Sequence, residues 1–353
     1  MTHPAGKPAH PAHQSAGKSH PLRMLFWEST ARCNLECVHC RRLDLEACKD
    51  ELTTDEAKAM FDSAATLGKP VVVFSGGEPL ERPDWADLGA YASGLDLPIA
   101  LATNGTLVTP EIAREASRVG FRRASISIDG ATAKSHDAFR GLPGAFEKAI
   151  AGTHYLQEAG VPVQFNVTVS THNSDELEKL YALAKKHNVV GLHLFMLVPV
   201  GCGVELSKTH QLPALEYEKV LHWICGKQQI GDLEIRSTCG PHYYRVAAQR
   251  GMKIGHSRGC LCGVSVVFVS HKGEVFPCGY LPVDCGNIRN RELAEIWRDS
   301  EVFAKLRDYD QLTGKCGYCS FKKVCGGCRA RAFGATGDFL AEEPFCNYDS
   351  KAD

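Results

Sequence analysis

Ala31-Arg32-Cys33-Asn34-Leu35-Glu36-Cys37-Val38-His39-Cys40-Arg41-Arg42 is the stretch on which the reading of this chain turns. Three thiols stand at C-x3-C-x2-C spacing, directly after a short apolar run at residues 24–27 that reads as a strand. A loop this compact can turn three sulfurs toward one point, and thiolates are soft ligands suited to iron–sulfur clusters or zinc. Structural zinc takes four protein ligands, usually from paired C-x2-C knuckles, and here the local count stops at three. Three thiolates on a four-iron cluster leave one iron open, and an open metal position binds and activates a small molecule. The alternatives are a zinc knuckle borrowing a distant fourth thiol, Cys48 being the nearest, or a loop of unrelated buried thiols. The spacing and the place after the first strand weigh against both.

Downstream the pattern alternates. Helical spacing of apolar residues over 53–67, 85–93, 111–119, 146–159 and 175–187 interleaves with strand-like runs at 71–74, 99–102, 124–128, 163–169 and 192–198. With the first run this makes six strands separated by helices, the sign of parallel βαβ units. Each strand ends in polar or glycine-rich residues, which belong at the C-terminal mouth of a barrel. Six units fall short of a closed eight-stranded barrel, so the α/β fold expected over residues 22–200 is an open, partial (β/α)6 barrel. A bridge follows at 201–258, with a helix at 215–225. The rest, 259–353, is rich in glycine and cysteine with one evident helix at 293–306, and a region so short of long apolar segments depends on metal for its core.

At 353 residues the chain has room for about two domains and a large core. Forty basic side chains against 41 acidic ones give a net charge of −1, which points away from nucleic acid or a membrane surface as the main partner. No apolar run approaches the ~20 residues that span a bilayer. Residues 1–21 are rich in Pro, His, Ala and Gly, lack the apolar core of a secretory signal and read as a disordered tail. Sixteen cysteines in a chain of this kind indicate metal centres in a reducing, anaerobic cytoplasm rather than disulfides.

The cysteine loop and the strand order resemble the radical S-adenosylmethionine (SAM) enzymes over roughly residues 24–200. The resemblance implies a [4Fe–4S] cluster on Cys33, Cys37 and Cys40 whose open iron chelates SAM. It also implies roles for the strand ends. Ser75-Gly76-Gly77-Glu78-Pro79 resembles the segment that holds the SAM ammonium group, and its glycines permit close backbone approach to a ligand. Thr103-Asn104 would lie near the same site. Ser127 and Asp129 point the same way on a strand and both can reach ribose hydroxyls, Asp129 being equally suited to capping the next turn. Arg140 resembles the arginine that pairs with the SAM carboxylate. Asn166 and Thr168 share one strand face toward the mouth, and Met196 would offer backbone groups to adenine. Each of these sites also has a plain structural reading, as a turn, a surface side chain or a core strand.

Cys260-x-Cys262, Gly273-x4-Cys278, Cys316-x2-Cys319-x5-Cys325-x2-Cys328 and Cys346 together resemble the SPASM domain, an auxiliary-cluster extension of radical SAM enzymes. That resemblance implies one cluster on Cys316, Cys319, Cys325 and Cys346, and a second, nearer the barrel, on Cys260, Cys262, Cys278 and Cys328. The family spacing before the fourth thiol of the run is x3, against x2 here, and Cys239 or Cys285 stands as an alternate for one of the tight Cys260/Cys262 pair. A zinc ribbon on the same thiols is the competing reading. Leu25-Phe-Trp-Glu28 and Thr238-Cys-Gly-Pro-His-Tyr-Tyr-Arg245 are most similar to the branch acting on haem precursors, the Fe-coproporphyrin III decarboxylases. This implies an iron porphyrin substrate, a low-potential electron donor protein and an electron acceptor. His242 would ligate the substrate iron, and Arg245 or Tyr243 would grip a carboxylate. Sister enzymes acting on sirohaem derivatives or building haem d1, a peptide-modifying SPASM enzyme and a non-catalytic iron–sulfur electron carrier are the alternatives. The SAM segments argue against the last.

Overall fold

The computed structural model describes residues 20–41, 49–253, 258–349 and 351, so nearly all of the expected N-terminal tail, and Cys48, lie outside the described residues. The six expected strands are present: β1 Met24–Thr30, β2 Val71–Gly76, β3 Ile99–Thr103, β4 Phe121–Ser127, β5 Val163–Val169 and β6 Gly191–Met196. They pair in parallel in chain order, with helices α1 Thr54–Ala65, α2 Trp85–Gly94, α3 Pro110–Val119, α4 Ala133–Arg140, α5 Ala145–Glu158 and α6 Leu177–Lys186 in the crossovers. The sheet then extends past the expected six. After α7 Gly203–His210 and α8 Ala214–Ile230, the bridge supplies β7 Glu234–Thr238, parallel to β6. On the other side β8 Val266–Val269 runs parallel to β1, and β9 Val275–Phe276 closes that edge antiparallel. The order β7-β6-β5-β4-β3-β2-β1-β8-β9 leaves both edges unjoined, an open barrel wall rather than a ring.

Strand alternation sorts the residues into two shells. Leu25, Trp27, Val72, Phe74, Leu101, Ile126, Phe165 and Leu194 point outward and are buried under the helices. Trp27 meets Phe61 of α1 at 5.4 Å and Phe74 at 5.3 Å, edge to face, and Phe74 meets Phe121 at 5.3 Å. Burying each such side chain contributes about 1.5–3 kcal/mol, and truncating Phe74 to Ala would cost roughly 3–5 kcal/mol. Helix ends match the sequence: α1 starts in a full capping box between Thr53 and Glu56, and α3 ends on Gly120 in the left-handed region.

In the C-terminal region α9 His242–Gln249 precedes β8, and the single helix expected at 293–306 is two, α10 Leu293–Asp299 and α11 Glu301–Arg307. Ser300 breaks them with extended backbone, ψ 126°. Beyond lie α12 Gly314–Tyr318 and α13 Arg329–Thr336, which the sequence pattern did not signal.

Candidate active site

The C-x3-C-x2-C loop leaves β1 and is pinned on several sides. Glu51 accepts from the Thr30 hydroxyl at 2.7 Å and the Ala31 amide at 2.8 Å. The Val38 amide reaches the Phe139 carbonyl at 3.2 Å, and the Cys202 amide reaches the Cys40 carbonyl at 2.9 Å. From β2, the Gly77 amide donates to Thr30 O at 2.8 Å and the Glu78 amide to Arg32 O at 2.7 Å. A Cβ on Gly76, whose φ is +132°, would strike the Thr30 carbonyl, and one on Gly77 would strike the Arg32 carbonyl. The first duty of these glycines is therefore to let β2 lie against the cysteine loop.

Cys33, Cys37 and Cys40 line one cavity of about 1220 Å³ with Gly76, Gly77, Thr103, Asn104, Ser127, Arg140, Asn166, Thr168 and Met196. These are most of the residues expected at the SAM site, and they share the C-terminal mouth of the strands. Two do not reach it. Glu78 is fully buried and accepts from the Thr103 hydroxyl at 2.8 Å, the Asn104 amide at 2.8 Å and the Leu80 amide at 3.2 Å. Burial pushes its carboxyl up to about 7 against those bonds. Asp129 is also fully buried, and the expectation that it faces the ribose gives way to a clamp. One oxygen accepts the Thr168 amide at 2.6 Å, while the other lies 2.5 Å from Arg140 Nη2 and 3.3 Å from His39 Nε2. Burial pushes the Asp129 carboxyl up, but the Arg140 guanidinium, with the Thr168 amide, outweighs it and holds the acid below its usual range. His39 itself is pushed down to about 4 by burial, so a neutral ring stacks on Phe139 at 4.2 Å. Arg140 Nη1 lies 3.7 Å from Cys37 Sγ, joining this clamp to the thiol loop. His39 was not singled out from the sequence, although it sits inside the motif.

Across the cavity stands a second thiol group. Cys260, Cys262, Cys278 and Cys328 line the same wall, and so does Cys239, while Cys285 lies apart with its thiol toward the Val283 carbonyl at 3.6 Å. Cys316, Cys319, Cys325 and Cys346 surround a separate small cavity. Their sulfurs are met by donors: Glu343 N to Cys316 at 3.4 Å, Phe321 N to Cys319 at 3.4 Å, Gly327 N to Cys325 at 3.4 Å, and Arg329 Nη2 to Cys316 at 3.6 Å. Cys33 receives the Leu35 amide at 3.4 Å. Such N–H···S bonds stabilise thiolate charge and tune cluster potential, so the donor sets fit iron–sulfur clusters. Among the described residues no three His, Cys, Asp or Glu side chains converge for a single metal ion.

His242 and Arg245 do not face the large cavity, contrary to expectation. They share one face of α9 and turn toward the small cavity beside Cys316 and Cys346. His242 is buried 3.7 Å from Glu343, and Arg245 makes a two-pronged bond with Glu218 at 2.8 and 2.6 Å. Tyr243 and Tyr244, from the opposite face of α9, line the large cavity instead. Between the two thiol groups lies a buried node the sequence did not signal. Arg331 Nε donates to Glu343 at 2.9 Å and its Nη2 to Tyr217 at 2.8 Å, while Glu343 accepts the Cys328 amide at 2.7 Å.

The radical SAM superfamily model matches residues 27–184, and the SPASM iron–sulfur cluster-binding domain model matches residues 260–329. The AdoMet-dependent heme synthase of Methanosarcina barkeri is 48% identical over 339 residues, covering 92% of this chain and 96% of the relative. This chain belongs to the radical SAM haem synthase family. A Fe-coproporphyrin III synthase of the same organism is 32% identical over 351 residues, 92% of this chain and 87% of that one. Among solved structures, Streptococcus suis SuiB bound to S-adenosylmethionine superposes with a TM-score of 0.75 at 16% identity, over 94% of this chain and 78% of that one, a likeness of fold. The enzyme is thus a radical SAM oxidoreductase of haem biosynthesis, using SAM, a SAM-binding [4Fe–4S] cluster and one or two auxiliary [4Fe–4S] clusters. No helix among the described residues is long and apolar enough to cross a membrane.

Proposed function

We propose that this enzyme converts Fe-coproporphyrin III to haem b by turning two propionate arms into vinyl groups. The observation that carries the reading is the wall of the large cavity. Among the described residues, Arg41, Arg122, Arg123, Arg140, Arg236 and Lys253 line it with one carboxylate, Glu234, while Arg140 is paired behind the wall with Asp129 and Arg41 with Glu28. Its β1–β3 and β8 side is apolar, with Met24, Phe26, Val71, Val73, Ala100, Ala102 and Phe268, whereas β4–β6 present Ser125, Gln164, Asn166, Thr168 and His193. A flat apolar macrocycle rimmed by carboxylates matches such a two-sided, cationic space. The volume, about 1220 Å³, exceeds the roughly 300–1,000 Å³ of a site for one small ligand, leaving room for SAM and a second large molecule.

When bound, SAM and its cluster supply a 5′-deoxyadenosyl radical, and the auxiliary clusters supply redox capacity. The residues of the chain provide position and charge. The Asp129–Arg140 clamp steadies the thiol loop, and Ser127, Asn166 and Thr168 offer hydroxyl and amide groups at the mouth. Arg41 lines the wall with its guanidinium 4.5 Å over the Phe268 ring and 3.6 Å from Glu28, and its remaining donors suit a reacting carboxylate. Each propionate gives up a β-hydrogen atom, carbon dioxide and one electron, so the reading calls for a low-potential donor protein and a separate electron acceptor. The relative named as a heme synthase supports the same assignment.

The test is anaerobic incubation of the reconstituted enzyme with SAM, reductant and Fe-coproporphyrin III, followed by Soret titration and mass analysis. The expected product has lost the elements of two carbon dioxides and four hydrogens, counted on the neutral acid. Consumption of a sirohaem derivative with Fe-coproporphyrin III untouched would assign the enzyme to a sister reaction.

A further inference from the structure

The floor of the lumen holds a polar cluster that the radical chemistry does not use. Glu234 opens β7 and reaches across two strands, with Oε1 3.3 Å from Arg123 Nη1 of β4. The same oxygen lies 3.0 Å from His193 Nε2 of β6 and 3.1 Å from Arg236 Nε. The other nitrogen of His193 lies 2.9 Å from Gln164 Nε2. The His193 hydrogen bond, with Arg236 and Arg123, holds the Glu234 carboxyl down at about 2 against partial burial, so it is an anion that organises the cations round it. Lys253 lines the same large cavity, exposed and without an ion pair among the described residues. Arg123 and Arg236 therefore share one carboxylate while Lys253 has none, which leaves an excess of positive charge on this wall.

We propose that Arg123, Arg236 and Lys253 form the anchor for the two substrate carboxylates that survive the reaction. This rests on the Fe-coproporphyrin III reading and adds to it which arms are spared, and why. Arg123 lies four residues before Ser127 on one strand, on the order of 13 Å at ~3.3 Å per residue. Carboxylates gripped at that depth stay out of reach of the mouth, where the thiol loop and the SAM-facing residues lie. A macrocycle held there by two adjacent arms presents its opposite edge to the mouth. Selection between four chemically similar propionates then follows from which edge is tied down, with no need for the mouth to tell them apart. The excess positive charge favours the two surviving carboxylates, and the Arg123 and Arg236 guanidinium groups suit carboxylate geometry.

The test uses the holoenzyme, with Arg123→Gln/Lys253→Gln as the main variant and Lys253→Gln, a change at an exposed position, as the one least able to disturb folding. Iron content and melting temperature check that each variant is intact. Soret titration with Fe-coproporphyrin III should show affinity falling about 10- to 100-fold in the double variant, the size expected for lost charge-assisted bonds. Haem b keeps the anchored arms, so its affinity should fall by the same factor. The tetramethyl ester of the porphyrin should bind both proteins alike. Turnover by the double variant should give mixed vinyl regioisomers on chromatography. Wild-type binding with unchanged affinity and a single isomer in both variants would remove the anchor and leave the substrate standing. Failure of the wild-type enzyme to bind the porphyrin at all would remove both.

Discussion

Asp129→Asn separates the clamp from a ribose contact. In the structure this carboxylate is fully buried, faces Arg140 at 2.5 Å and His39 at 3.3 Å, and accepts the Thr168 amide at 2.6 Å. The amide substitution keeps the size and can still accept from Thr168, but it strands the Arg140 guanidinium without its counter-charge. Breaking a buried pair by removing one partner costs about 3–5 kcal/mol, and the retained Thr168 bond places this case near the lower end, ~3 kcal/mol. At roughly 2–4 °C per kcal/mol for chains of a few hundred residues, that is a fall of about 6–12 °C in melting temperature. Because Arg140 also touches Cys37 Sγ at 3.7 Å, iron should be lost from the SAM cluster faster than from the auxiliary sites. The assay is anaerobic scanning calorimetry with iron analysis, alongside SAM binding by equilibrium dialysis. A wild-type melting temperature combined with a tenfold or greater loss of SAM affinity would refute the clamp and restore the ribose role.

Three further outcomes follow from the same structure. Replacing Cys33, Cys37 and Cys40 together by Ala should remove about four irons and abolish 5′-deoxyadenosine formation while the auxiliary clusters remain; persistent formation would contradict the site. Glu78 keeps its proton to about pH 7 when folded against an ordinary 4.5, so the unfolded chain releases a proton between those values that the folded chain retains. The stability of the wild type relative to Glu78→Gln should therefore fall by ~1.4 kcal/mol per pH unit as pH rises toward about 7 and level off above it, and a flat difference in melts from pH 5.5 to 8 would count against this. Arg331→Gln should leave the buried Glu343 without its arginine counter-charge, costing about 3–5 kcal/mol and lowering the melting temperature; an unchanged melt would show that the node is dispensable.

The first six strands were legible because each is a buried apolar run or a period-two alternation between recognised helices. β7 was not, since Glu234-Ile-Arg-Ser-Thr238 has one buried apolar residue and spends the others on a polar lumen or solvent. β8 is plainly apolar, but nothing local tells that Val266–Val269 pairs with Met24–Trp27. Among the site residues, the glycines were read toward a ligand, and nothing local announced their close approach to the thiol loop as well. Asp129 shares its parity with Ser127, yet it lies beyond the last residue of β4, and its carboxylate is taken up by the Thr168 amide, Arg140 and His39. For His242 and Arg245 a signal existed. At i and i+3 on a helix they share a face, so they cannot point the same way as Tyr243 and Tyr244, and only the fold decides which pair meets the cavity.

The most direct measurement is turnover of Fe-coproporphyrin III deuterated at the β-carbons of its propionates, with SAM and reductant and without oxygen. Singly deuterated 5′-deoxyadenosine is expected, two per haem b formed, with a monovinyl species appearing first. Unlabelled 5′-deoxyadenosine, or an intact porphyrin beside a consumed sirohaem derivative, would contradict this.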